Sequence, residues 1–106
     1  MSDFSSITSL KAAEDASREG SLVKALLFPT ELGGQDRPEN LVYIPPHVWE
    51  IKSNSTDELL SAVRGGMNDV AIVPEYRGTS FVPTKITITA ASAGMAPGYK
   101  LEIGIW

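Results

Sequence analysis

The sequence predicts an α+β fold: a small antiparallel sheet, arranged as a meander, with two helices packed on it. Three observations predict it. The last third alternates apolar and polar residues with period two over residues 69–76, 85–90 and 100–106. Turns rich in Gly and Pro, at 77–80 and 94–98, separate those runs, so consecutive strands pair antiparallel. Two earlier segments carry helix punctuation, each ending at a glycine, Gly20 and Gly65. A chain of 106 residues fits one domain, residues 1–106, with one modest core.

The elements follow in order. Ser5 or Ser6 can cap a first helix that runs to about Glu19, with Ile7, Leu10, Ala13 and Ala16 or Ser17 on one face. Residues 21–28 form an apolar run between Gly20 and Pro29, the pattern of a buried strand. Residues 33–38 read as a loop and residues 41–44 as a short strand closed by Pro45-Pro46. One helical turn is expected over residues 47–52. A second helix starts at Ser55 or Thr56, where Ser55 and Glu58 have capping-box spacing, and runs to Val63 or Arg64. The strands around Ala25, Val42, Ile72, Ile88 and Ile103 are expected to share one sheet, with the helix over residues 57–63 on one face.

Composition narrows the function. Apolar residues make up 42% and charged residues 21%, as in ordinary soluble domains. The absence of cysteine excludes disulfides, thiolate metal sites and thiol redox chemistry, and is compatible with a cytoplasmic location. Nine Lys and Arg stand against thirteen Asp and Glu, for a net charge of -4. That balance argues against a nucleic-acid partner and suits a protein partner with a basic face. The longest apolar patch, residues 22–29, is too short to span a membrane and is broken by Lys24. No cofactor-binding pattern is visible, and no targeting segment.

The candidate binding loop runs from Glu31 to Asn40. Gly33 and Gly34 allow a tight reversal at positive φ. Asp36 is expected to accept backbone N–H bonds in the turn, Pro38 to stiffen its exit, and Asn40 to fix the next strand by a side-chain bond to the loop. Two glycines can also cradle an anion, but no helix or lysine follows them here. Glu31, Asp36 and Glu39 are carboxylates that could hold a hard cation, although a solvated loop accounts for them, and no metal site is assigned. His47 is the only histidine, and it lacks neighbours that would make it catalytic. Trp49 and Trp106 are interface candidates wherever they prove exposed. The candidate site is therefore Glu31, Gly33, Gly34, Asp36, Glu39, Asn40, His47 and Trp49, with no catalytic residue assigned.

Several segments carry a resemblance. The chain shows Leu32-Gly33-Gly34, Glu39-Asn40-Leu41-Val42, Leu59-Leu60-Ser61-Ala62-Val63, a strand from Val70 through Pro74 to Tyr76 and Gly78, and Val82-Pro83-Thr84-Lys85-Ile86. In that order and spacing it resembles the DNA/RNA non-specific endonucleases, the ββα-metal fold of bacterial toxins, over residues 21–90. The resemblance implies a strand bearing a catalytic His, a Gly-Gly loop, a second strand and a helix with a metal-binding Asn. The His position falls near Leu26. The Asn position falls near Trp49, or near His47 if the register slips. Neither implied residue is present. Without a general base and a metal ligand the mechanism has neither nucleophile activation nor charge stabilisation.

Three readings follow. The first is a non-catalytic protein-interaction domain on this inactive nuclease framework, in a toxin-immunity or secretion-associated setting. The second is a small acidic immunity or inhibitor protein on an unrelated α+β fold, facing a basic nuclease. The third is an enzyme with a site around His47, Asp36, Glu39 and Glu31. A protein partner is expected in the first two, and a second copy of the chain is a further candidate.

Overall fold

The computed structural model describes residues 4–106. Helix α1 (Leu10–Glu19) is followed by strands β1 (Val23–Leu26) and β2 (Leu41–Ile44), helix α2 (Pro46–Arg64), and strands β3 (Asp69–Glu75), β4 (Lys85–Ala91) and β5 (Tyr99–Gly104). The class is α+β with antiparallel pairing throughout, as the alternation and the turns predict. The strands do not share one sheet, however. β1 and β2 form a two-stranded sheet, and β3-β4-β5 forms a separate three-stranded meander. In place of a shared ladder, α2, which β2 enters through Pro45, packs against β1 and against β4 and β5 and so joins the two sheets through side chains. The core is continuous all the same: Val42, Ile44, Val48, Leu59, Ile72, Ile86, Ile88 and Ile103 pack as one cluster.

The register sets which side chains face that core. Ile72 pairs with Ile88, and Ile88 with Leu101, while Ile86 pairs with Ile103. Period two then turns Val73, Thr87, Lys100 and Glu102 outward. In the hairpin, Val42 and Ile44 enter the same core, whereas Tyr43 faces the other way into a second cluster with Ala13, Ala16, Leu22 and Val82. Trp106 joins that cluster. Its indole Nε1 donates to the Val82 carbonyl at 3.0 Å and its ring meets Phe4 edge-on, so it is half-buried in internal packing.

Both helices depart from their expected ends. α1 is capped by Ser9, whose hydroxyl accepts from the Ala12 N–H at 3.1 Å, not by Ser5 or Ser6. The expected turn at 47–52 and the expected second helix are one continuous helix of 19 residues. Ser55 lies in its interior, buried, with its hydroxyl donating to the Lys52 carbonyl at 2.7 Å, so the capping box does not exist. Val48, Lys52, Ser55 and Leu59 form the buried stripe at spacings of four, three and four. That packing carries the helix through the polar run 53–56, which propensity alone would break.

The loop between β1 and β2 contains two short 3-10 turns, Thr30–Leu32 and Pro38–Asn40. Gly33 has φ 88°, the left-handed region that the reversal requires. Gly34 is needed for a different reason. It does not take positive φ, but a Cβ on it would lie 1.8 Å from the Phe28 carbonyl oxygen. Asn40 ties the loop shut: its Oδ1 accepts from the Phe28 N–H at 2.8 Å, and its Nδ2 donates to Phe28 O and Gln35 O. The bonds expected of Asp36 are not seen among the described residues, because the Asn40 amide already holds the turn.

Candidate functional site

The loop candidates divide between a cleft beside α2 and a shallower depression, and another cleft lies beside α1. The first cleft, of about 260 Å³, opens between the end of β1, the loop and α2, and includes Leu26, Glu31, Trp49, Lys52 and Asp57 in its walls. Antiparallel pairing of β1 with β2 and the tight entry into α2 bring Leu26 and Trp49 together here. Lys52 follows Trp49 by three residues and belongs to the buried stripe of α2, so its stem enters the protein. It is only 6% exposed. Its Nζ donates to the Leu26 carbonyl at 2.8 Å. Burial lowers the ammonium pKa from its ordinary value to about 8, against a smaller upward pull from the Glu31 carboxylate. Among the described residues no carboxylate forms an ion pair with it.

The second cleft, of about 630 Å³, lies between α1, the outer face of the β1-β2 hairpin and the turn joining β3 to β4. Its walls are largely apolar, including Leu10, Leu41, Tyr43, Tyr76 and Phe81, with Lys24 and Glu14 as charged groups. Leu10, Tyr76 and Phe81 are among the exposed large apolar side chains of the molecule, at 52%, 49% and 39%. Partial burial raises the Tyr76 phenol pKa. Tyr43 is buried, and its hydroxyl has no hydrogen-bond partner among the described residues.

Of the residues predicted from sequence, only Glu31 and Trp49 share the first cleft. Gly33, Gly34, Glu39 and Asn40 line the depression beside Phe28, about 230 Å³ in volume. Asp36 is exposed on the loop, and His47 is exposed in the first turn of α2. Among the described residues, no three His, Asp or Glu side chains come together to hold a metal ion. The structure therefore does not assemble Glu31, Asp36, Glu39 and His47 into one centre. Lys52 and the cleft around Tyr43 were not anticipated. Lys52 is legible only in a continuous helix, where it lies four residues after Val48 and seven before Leu59 on one face.

No family model, curated protein or solved structure matches the chain. No helix among the described residues is long and apolar enough to cross a membrane.

Proposed function

We propose that this chain is a non-catalytic protein-interaction domain on a framework like that of the ββα nucleases. The observation that carries the reading is the convergence of Leu10, Tyr76 and Phe81 on one largely apolar cleft of about 630 Å³. Contiguous exposed apolar surface of this kind marks a binding face, and aromatic side chains are the usual anchors of protein interfaces. The partner is a protein, not nucleic acid or membrane. The net charge of -4 supports that choice. A cytoplasmic toxin-immunity or secretion-associated role is the setting this reading implies.

The non-catalytic half is supported by the other cleft. Strand, strand and helix succeed one another as β1, β2 and α2, the order that the nuclease resemblance implies. Leu26 and Trp49, the positions where that resemblance would put a catalytic His and a metal-binding Asn, line the same cleft. The Lys52 ammonium lines the same cleft and donates to the Leu26 carbonyl. Neither Leu26 nor Trp49 carries a side chain that can act as a general base or ligate a metal ion.

Selection of peptides from a displayed library on the immobilised chain tests the binding face. Selected peptides are expected to lose at least tenfold in affinity, about 1.4 kcal/mol, on Phe81→Ala or Tyr76→Ala, and little on Trp49→Ala. Peptides that bind all three variants as well as the unaltered chain refute the assignment.

A further inference from the structure

Lys52 is an amine in an unusual position. It lines a cleft of about 260 Å³ and is 6% exposed, and its described hydrogen bond is a single one, to a backbone carbonyl. Buried lysines normally face a carboxylate, which holds them protonated. Here the charged groups around the cleft are Glu31 on the loop and Asp57 on α2, and neither forms an ion pair with Nζ among the described residues. Thr30, Ser53 and Thr56 add hydroxyl groups to the wall. We propose that Lys52 is a nucleophilic amine and that its cleft captures small neutral aldehydes as a reversible imine.

The cleft selects the ligand class. Its volume admits a molecule on the order of ten heavy atoms. Glu31 and Asp57 disfavour anionic carbonyl compounds such as keto acids. The Trp49 ring on the wall gives an aromatic or aliphatic body an apolar surface. Desolvation leaves a much larger neutral fraction of the Lys52 amine near neutral pH than an exposed lysine has.

The step balances without oxidant, reductant or metal. The Nζ lone pair attacks the carbonyl carbon, a C–N bond forms, and the π electrons of C=O move to oxygen. A proton passes from nitrogen to that oxygen, giving the carbinolamine. A hydronium ion from the solvent filling the open cleft protonates the hydroxyl, the C–O bond breaks, and water leaves. The nitrogen lone pair closes the C=N bond, and the remaining N–H proton passes back to solvent water. Amine and aldehyde thus become imine and water. This chemistry does not involve the apolar cleft, so its failure would leave the protein-binding reading untouched.

The test is reductive trapping of the folded chain with benzaldehyde and cyanoborohydride near neutral pH, followed by peptide mass mapping. Lys52 is expected to be benzylated about tenfold faster than exposed Lys11 and Lys100, with a rate that levels off above about pH 8 while theirs keeps rising. Pyruvate in place of benzaldehyde is expected to lose that selectivity. The advantage should vanish in denaturant, and Lys52→Met should remove the fast-labelled peptide. Labelling of Lys52 no faster than of Lys11 and Lys100, or a preference that survives denaturation, overturns the proposal.

Discussion

Replacing Lys52 with methionine removes the buried charge and keeps an unbranched stem of similar volume. An ammonium whose pKa is 10.5 when unfolded and about 8 when folded binds fewer protons in the native state. Stability therefore rises with pH through that window, and the penalty is fully present below the folded value. It amounts to about 3 kcal/mol near pH 7, about 2 near pH 9 and about 1 near pH 10. Methionine escapes the penalty but leaves the Leu26 carbonyl without its donor, a loss of about 1 kcal/mol. Lys52→Met is thus expected to be more stable than the unaltered chain by about 2 kcal/mol near pH 7, with the advantage falling to about zero near pH 10. Urea unfolding followed by Trp fluorescence across this range measures it, and Trp49 sits beside the substitution. The raised phenol pKa values of Tyr76 and Tyr99 weaken folding at the alkaline end, but both proteins share them and the difference removes them. A stability difference that does not change with pH, or a variant less stable near pH 7, refutes the reasoning.

Other outcomes follow from the loop and the second core. Gly34→Ala is expected to cost more than about 2 kcal/mol, because the added Cβ meets backbone; Gly33→Ala, with open space around it, should cost about 1 from its φ alone. Thermal melts rank the two, and equal costs contradict the close approach at Phe28. Asn40→Ala should lose about 2–3 kcal/mol by orphaning both backbone groups of Phe28, while Asp36→Ala should be near neutral in the same denaturation assay. Tyr43→Phe removes a buried hydroxyl without a partner and should leave stability unchanged or raise it by about 1 kcal/mol, so a clear loss would reveal an unseen bond.

What was readable in the sequence was whatever local periodicity and turn chemistry control. β3, β4 and β5 lie where the alternation put them, with Ile72, Ile86, Ile88 and Ile103 inward. β2 was bounded correctly by Asn40 and the Pro45-Pro46 pair. The role of Asn40 was readable because an Asx side chain at a strand entry has few partners other than the loop backbone. The misreadings arise where tertiary packing outweighs local preference. The run 53–56 looks like a break followed by a cap, yet burial of Ser55 and Leu59 keeps it helical. A helix that starts at Ser55 leaves Lys52 unremarkable, since its position on the apolar stripe appears only when Val48 and Leu59 belong to one element. The division into two sheets was unreadable for another reason: alternation specifies which face is buried but not which strand lies alongside. The apolar cleft joins α1, the hairpin and the turn at 77–80, and no short-range pattern links those segments.

The central claim, that the chain binds and does not cut, is tested most directly by incubating the purified protein with plasmid DNA and with RNA in the presence of Mg²⁺ or Mn²⁺. The lack of a base or metal ligand at Leu26 and Trp49, in the β1-β2-α2 cleft, predicts that both substrates remain intact. Degradation of either one by the unaltered chain, abolished in the His47→Ala variant, would contradict the account.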